Sequence, residues 1–304
     1  MSDASLILLA MALPLVFAGA IALTGSNRNL RDSVMVGSTL ILFATVLSLL
    51  PSVNAGGRPS VALFDIMPGL TLGFSIEPLG MIFALVASGL WVLTSLYGIG
   101  YMRGAKEKHQ TRFFACFSIA IFAALGVAFA ENMFTLFIFY EVLSLSTYPL
   151  VAHKGNEEAK RGARIYLGIL LGTSIGLMLP AMLVTWYMAG TLTFQPGGIL
   201  QDNVSRSVGA ILLILYMFGI GKAALMPFHR WLPSAMVAPT PVSALLHAVA
   251  VVKAGVFTVL KVAVYLFGLD YLQSLWSADF VMWVAAFTLL SASIVALQKT
   301  NLKA

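Results

Sequence analysis

Long apolar stretches follow one another along this chain of 304 residues, separated by short segments that carry most of its charge. A helix needs about 20 predominantly apolar residues to cross the hydrocarbon core of a bilayer. By this criterion the predicted spans are 5–24, 33–53, 78–101, 112–130, 132–152, 163–189, 207–226, 240–267 and 278–297. The sequence therefore predicts an all-α polytopic membrane protein with about nine transmembrane helices.

The composition supports the same fold class and excludes several functions. Hydrophobic residues make up 60% of the chain and charged residues 10%, whereas soluble domains carry about 25% charge. A single cysteine, Cys116, rules out an internal disulfide framework. No phosphate-binding loop, dinucleotide fingerprint or cysteine set for an iron–sulfur cluster is present. We predict no cofactor, no metal site and no catalytic residue, so the chain is not an enzyme by itself.

The basic residues predict how the chain lies in the membrane. Asp3, instead of a basic segment, precedes the first apolar stretch, which we interpret as a retained span. With the N-terminus outside, the outer loops hold only Arg58 and Arg206, and most other lysines and arginines lie in inner loops. The net charge of +6 reflects these loops and does not indicate nucleic acid. We expect a multi-pass protein of a bacterial inner membrane, with residues 54–77 forming an outer loop that contains a short hairpin.

The segment 221–255, GKAALMPFHRWLPSAMVAPTPVSALLHAVAVVKAG, combines ionisable residues with four prolines. An ionisable residue within a span is costly and is a functional hypothesis by default. A proline break exposes backbone groups, which is tolerated beside protein or a water-filled cavity. We predict a helix break at Pro227, a short helical piece at 227–236, and an ion path lined by the interrupted helix.

Four residues are the main candidates for a proton path. Glu141 lies about 14 Å into its span, near the middle of the bilayer. Lys222 lies shortly before the break, where a neighbouring carboxylate would control its charge. Lys253 lies about 20 Å along its span, too deep to reach the interface easily, and His247 is about 240° away on the same helix.

Three of these candidates also have a structural explanation. Glu141 would then be a protonated packing residue, Lys222 a lysine that extends to the interface, and His247 a satisfied core histidine. His229 and Lys261 are secondary candidates: the first lies in a cluster that positions the break, and the second is close enough to the outer end to snorkel. For the carboxylates at outer helix ends or loops we expect solvation: Asp65, Glu77 and Glu131.

Three segments resemble a known family: FYEVLSLSTYPLVAH, GIGKAALMPFHRWLPSAMVAPTPVSALLHAVAVVKAGVF and ALQKTNLKA. They are similar to the antiporter-like membrane subunits of respiratory complex I (NADH:quinone oxidoreductase) and of Mrp-type cation/proton antiporters, with a leaning toward the Mrp D-type subunit. The resemblance implies three leading helices followed by inverted five-helix repeats, each with a broken helix. It also implies that Glu141 is the glutamate of the fifth helix, that Lys222 is the central lysine, and that His247 and Lys253 lead toward the second repeat.

From the resemblance we expect leading helices at 1–111, a first repeat at 112–267 with its break near 222–236, and the first helix of a mostly absent second repeat at 268–304. The expected function is proton translocation in a multisubunit monovalent cation/H⁺ antiporter, with other membrane subunits as partners and Na⁺ as the candidate second ion. One alternative is a proton-pumping membrane subunit of NADH:quinone oxidoreductase or a membrane-bound hydrogenase. Another is a transport-inactive structural subunit or fragment.

Overall fold

The computed structural model describes residues 2–67, 69–244 and 250–300, and most of them are helical. The helices are α1 (Asp3–Leu23), α2 (Arg28–Leu47), α3 (Leu50–Asn54), α4 (Pro78–Gly104), α5 (Gln110–Phe129), α6 (Met133–Val151), α7 (Glu157–Thr173), α8 (Leu179–Ala189), α9 (Arg206–Gly219), α10 (Trp231–Ala235), α11 (Thr240–Val242), α12 (Val252–Lys261), α13 (Leu269–Gln273) and α14 (Trp276–Leu297). The strands are β1 (Ser60–Met67) and β2 (Leu70–Ser75). Single π-helical segments occur at Ser174–Met178 and Val262–Phe267, and 3₁₀ turns at Gly221–Ala223 and Phe228–Arg230.

Seven helical segments within the described ranges are long and apolar enough to cross a membrane. They are Asp3–Leu23, Arg28–Asn54, Pro78–Gly104, Gln110–Phe129, Met133–Val151, Glu157–Ala189 and Trp276–Leu297. Each overlaps one predicted span, so the predicted fold class is confirmed. Of the other two predicted spans, 207–226 is not one continuous helix, because α9 ends at Gly219 and a 3₁₀ turn follows at Gly221–Ala223. Residues 240–267 are α- or π-helical wherever the structure describes them, with 245–249 outside the described residues.

Asparagine side chains begin three of the helices by accepting hydrogen bonds from free backbone N–H groups of the first turn. Asn27 Oδ1 accepts from Leu30 N at 3.2 Å, Asn132 Oδ1 from Thr135 N at 2.8 Å, and Asn156 Oδ1 from Ala159 N at 2.9 Å. The cap at Asn156 explains why α7 begins at Glu157, before the apolar stretch from which its span was predicted.

The helix α5 forms the centre of the described fold. It packs against α1, α4, α6 and α12, and its second half, from Ala123 to Phe129, is entirely buried. Gly126 allows the closest approach, because a Cβ atom there would overlap the ring of Phe139 on α6. Ser118 Oγ donates to the carbonyl of Pro14 in α1 at 2.8 Å, which joins the central helix to the first helix. Small residues on α5 therefore let its neighbours pack closely around it.

The predicted hairpin is present: β1 and β2 pair antiparallel and cover one end of the helices. Residues of the α5–α6 and α8–α9 connections extend the same layer, since Glu131 N donates to Gly73 O at 3.2 Å and Met133 N donates to Leu192 O at 3.0 Å. Ser52 Oγ donates to Asp3 Oδ2 at 2.5 Å, so the beginning of α1 lies at this end too. We call it the hairpin end.

Charged side chains hold the opposite end together. Asp32 accepts from Arg31 Nη2 and from Arg103 Nε, each at 2.6 Å, which connects α2 to α4. Arg31 also donates to Gln110 Oε1 at 2.9 Å and lies 5.2 Å from the centroid of the Phe114 ring. We call this the basic end, because the clusters of lysine and arginine in the 103–112 and 154–164 segments lie there.

Candidate functional site

The interruption after α9 places a lysine in the interior of the protein. The helix ends at Gly219, and Ile220 has φ −79° and ψ 63°, outside the helical region. Gly219 approaches the backbone of Met178, and Gly221 approaches the side chain of Thr173, so a Cβ atom at either position would overlap the neighbour. The break therefore begins before Pro227, the predicted position, and Pro227 lies inside it. Its cause is close packing of the two glycines against the end of α7 and the π-helical segment that follows it, in addition to the missing N–H of proline.

Lys222 is fully buried in the 3₁₀ turn of this break. Its Nζ donates to the carbonyl of Tyr140 at 2.7 Å and to Ser144 Oγ at 2.6 Å, and it lies 3.1 Å from the centroid of the Tyr140 ring. The Lys222 backbone N–H donates to Tyr140 Oη at 2.9 Å. A buried ammonium group is tolerable only with such partners. Lys222 therefore does not extend to the membrane interface, which was its structural explanation.

Glu141 follows Tyr140 on α6 and lies beside the same break. Both carboxylate oxygens are buried, and neither makes a hydrogen bond to the described residues. The charge of Lys222 acts on this carboxyl, whereas the nearby Ser174 hydroxyl donates to the Leu170 carbonyl at 2.8 Å. A carboxyl without fixed protein hydrogen bonds can change its protonation state in response to a nearby charge without breaking a contact. The structure thus brings together the predicted pair Glu141 and Lys222; their role in transport stays a prediction.

Hydroxyl groups extend from Lys222 along α6 toward the basic end. Ser144 is followed one turn later by Thr147, whose Oγ1 lies 2.5 Å from Tyr166 Oη on α7. Thr147 also donates to the Leu143 carbonyl at 2.7 Å. Trp231, on the far side of the break, donates from Nε1 to the Gly221 carbonyl at 2.8 Å. Hydroxyls that both donate and accept are suited to relaying protons between the basic end and Lys222.

Lys253 does not lie beside Lys222 and Glu141. Its side chain is exposed and lines an apolar groove of about 300 Å³ between α4 and α12. Gly255, two residues further along α12, is the residue that approaches the backbone of Lys222. Two residues correspond to about 200° of helix rotation, so Lys253 faces away from the break. The structure does not bring Lys253 and Lys222 together, and His247, the predicted connection, lies outside the described residues.

Lys261 and Glu77 form a buried ion pair at the hairpin end. Lys261 is 1% exposed and Glu77 5% exposed, which excludes the expected snorkelling of the lysine and the expected solvation of this carboxylate. The Lys261 Nζ lies 4.3 Å from the Phe194 ring centroid and 4.9 Å from that of Tyr265. The role of Glu77 was not predicted from the sequence because its partner is distant in the chain. The one available signal was that Lys261 is an intramembrane lysine in need of a counter-charge.

The remaining candidates differ in their surroundings. His229 is half-buried, and its Nδ1 makes no hydrogen bond to the described residues. Asp65 is exposed on β1, as expected. Glu131 is half-buried, and burial raises the pKa of its carboxyl above the ordinary value. The carboxyl is therefore not fully solvated, contrary to expectation. In the described parts of the chain, no group of three or more His, Cys, Asp or Glu side chains could hold a metal ion.

Comparisons with known proteins give one consistent family. A sequence profile described as "NADH:quinone oxidoreductase/Mrp antiporter, TM" matches residues 130–304, and one described as "NADH-Ubiquinone oxidoreductase (complex I), chain 5 N-terminus" matches residues 68–114. A Rhizobium meliloti protein named as a probable K⁺/H⁺ antiporter component of type A/B is 33% identical over 73% of the chain. The Staphylococcus aureus protein named as putative antiporter subunit mnhA2 is 29% identical over 77% of the chain. The chain spans only 22% and 29% of the length of these two relatives.

Two solved structures share the fold. The Mrp complex from Dietzia sp. DQ12-45-1b superposes on 98% of the chain with a TM-score of 0.83 and 23% identity. An archaeal membrane-bound sulfane sulfur reductase superposes on 86% with a TM-score of 0.72 and 19% identity. The chain covers 32% and 40% of the matching chains, respectively.

Proposed function

Since the chain belongs to the NADH:quinone oxidoreductase/Mrp antiporter membrane family, we propose that it translocates protons as part of a multisubunit monovalent cation/H⁺ antiporter. The observation that carries this proposal is the fully buried Lys222 in a helix break, beside a Glu141 carboxyl that has no hydrogen bond to the described residues. The relatives named as antiporter components support it. A proton reaches Lys222 from the basic end by way of Thr147 and Ser144.

Glu141 controls the charge of Lys222 in this mechanism. When Glu141 is ionised it stabilises the ammonium form of Lys222, and when Glu141 is protonated Lys222 loses this partner and releases its proton. The proton then moves toward Lys253 by way of His247. Because Lys253 faces away from the break, this transfer requires groups beyond the contacts described above.

Exchange in the assembled complex tests the proposal. Everted membrane vesicles that contain the chain with its partner subunits would be acidified, and Na⁺ or K⁺ added while a fluorescent dye reports the pH gradient. Lys222→Met and Glu141→Gln should reduce cation-dependent dequenching by roughly tenfold or more. Lys222→Arg should also fail, because a guanidinium keeps its charge and cannot release a proton.

Assembly has to be measured beside transport. Lys160→Gln, which removes an exposed lysine paired with Glu157, is the matched control and should leave exchange unchanged. Normal exchange by an assembled Lys222→Met complex would refute the proposal. Proton movement driven by NADH or hydrogen oxidation, without added cation, would instead favour the redox-driven alternative. If the unaltered complex assembles but does not transport, the alternative of a transport-inactive structural subunit would be favoured.

A further inference from the structure

Three arginines line one groove at the basic end. Arg161 and Arg164 lie on α7 and Arg230 ends the 3₁₀ turn before α10, and with Ile165, Gly168 and Ile169 they enclose about 460 Å³. The α7 residues follow a spacing of three and four, which places them on one face of the helix. All three arginine side chains are exposed. The groove therefore combines a positive rim with an apolar wall.

The two elements that carry the arginines are fixed to each other. α10 packs on α7, and Gly162 approaches the backbone carbonyl of Ser234 so closely that a Cβ atom would overlap it. Ser234 Oγ also donates to the carbonyl of Arg230 at 2.9 Å, which orders the turn. The rim is thus built from two rigid elements, although its residues are far apart in the sequence.

The positive charge of the rim is not neutralised by the described residues. None of the three arginines lies within 4.0 Å of a carboxylate oxygen there. The carboxylate whose charge acts on Arg164 is Glu157, which accepts a hydrogen bond from Lys160 at 2.9 Å. Arginine forms paired hydrogen bonds with phosphate oxygens, so a groove with three guanidinium groups suits a phosphate.

An open apolar strip lies beyond the groove on the same span, along α7, the π-helical segment that follows it and α8. Gly168, Gly172 and Gly176 have no atom within 4 Å of an added Cβ, and Ile175 and Leu183 are 52% and 54% exposed. Arg161 and Arg164 lie roughly 6 and 10 Å from the beginning of α7, the depth of a headgroup layer if the helix spans the bilayer. A free phosphate would use the arginines but not this strip.

We propose that the groove is a binding site for an anionic phospholipid, with the headgroup phosphate on Arg161, Arg164 and Arg230 and an acyl chain along the glycine strip. The depth of the arginines, their unneutralised charge and the apolar strip below them together match this molecule. The site does not depend on the proposed transport function, because it shares no residue with the Lys222 and Glu141 pair.

Lipid titration of the purified full chain in detergent tests the site. Phosphatidylglycerol and cardiolipin should raise the unfolding temperature and remain bound in native mass spectrometry, whereas phosphatidylcholine and inorganic phosphate should not. The triple variant Arg161→Gln, Arg164→Gln, Arg230→Gln should weaken this binding roughly 100-fold, about a factor of five for each arginine.

Two further variants distinguish lipid binding in the groove from nonspecific attraction to the positive charge of the basic end. Lys106→Gln, Lys108→Gln, Lys154→Gln removes the same charge from exposed positions of the same end and should leave the affinity within about twofold. Gly172→Leu should weaken lipid binding by filling the strip while the rim keeps its charge. Equal losses in the two triple variants, or equal effects of inorganic phosphate and lipid, would overturn the proposal. So would an unchanged lipid affinity in Gly172→Leu, or a tightly held protein in place of lipid on this face.

Discussion

At the scale of single residues, His153 shows how burial controls a titratable group outside the spans. It follows α6 at the basic end, and burial, together with the positive charge of Arg112, lowers the pKa of its ring from 6.5 to about 4. Its Nε2 lies 3.9 Å from Glu107 Oε2, but a neutral ring forms no ion pair with that carboxylate. Arg112 Nη2, in the first turn of α5, donates to the His153 carbonyl at 3.4 Å, which joins α5 to the segment after α6.

This environment predicts a loss of stability in weak acid. The unfolded chain binds a proton on His153 below its ordinary pKa, whereas the folded chain does so only near pH 4. The contribution of His153 to the free energy of unfolding is therefore fully present above about pH 6.5. It is lost as the pH falls toward 4, a loss of about 3 kcal/mol. Unfolding temperatures measured from pH 7 to 5 should decline less steeply for His153→Gln. His109→Asn should keep most of the steep decline, because His109 contributes less to the low pKa of His153 than burial and Arg112 do. Equal slopes in all three proteins would contradict the prediction.

At the scale of elements, Gly255 lets α12 pack directly on the break that holds Lys222. A Cβ atom at this position would overlap the backbone of Lys222 and Ala223. Gly255→Ala should therefore destabilise the protein by about 1–3 kcal/mol, although alanine favours helices. Gly100→Ala on α4, where nothing lies within 4 Å, is the matched control and should be neutral or slightly stabilising. Chemical denaturation in detergent measures the stability of both variants. Similar effects of the two substitutions would show that the close contact at Gly255 does not matter for stability.

The Glu77 and Lys261 pair connects the beginning of α4 with the end of α12. Lys261→Met leaves the Glu77 carboxylate buried without its counter-charge, so we expect a loss of about 3–5 kcal/mol. Glu77→Gln with Lys261→Met removes both charges and should recover at least half of that loss. The same denaturation assay gives the coupling energy. Additive effects of the two single substitutions would mean that the pair contributes nothing beyond its separate side chains.

At the scale of the whole molecule, the hairpin and the basic clusters lie at opposite ends of the helices. The rule that cytoplasmic loops are rich in lysine and arginine then predicts that the hairpin end faces outward. In a Cys116→Ala background, a membrane-impermeant maleimide added to intact cells should label Ala55→Cys at the hairpin end. It should label Lys108→Cys at the basic end only after the cells are opened. The reverse pattern would invert the proposed orientation.

Much of this protein follows from the sequence alone, because the bilayer imposes strict requirements. Apolar stretches of sufficient length become helices, since backbone groups cannot remain unpaired in hydrocarbon. The fold class was predicted on that basis, the hairpin within 54–77 from its turn residues, and the family from three resembling segments; the structure and the comparisons confirm all three. Glu141 and Lys222 could be singled out because a charge inside an apolar stretch is conspicuous without any knowledge of its partner.

Relations between distant residues required the tertiary structure. Pro227 was conspicuous in the sequence, but the break begins at Gly219, because packing against Met178 and Thr173 decides where the helix ends. The sequence predicts snorkelling for Lys261 and solvation for Glu77, yet helix packing encloses both and pairs them. Lys253 is exposed on α12 and faces away from the break, because the rotation of a helix is set by its neighbours. Length and hydropathy determine which segments enter the membrane, and side-chain packing determines which charges meet there.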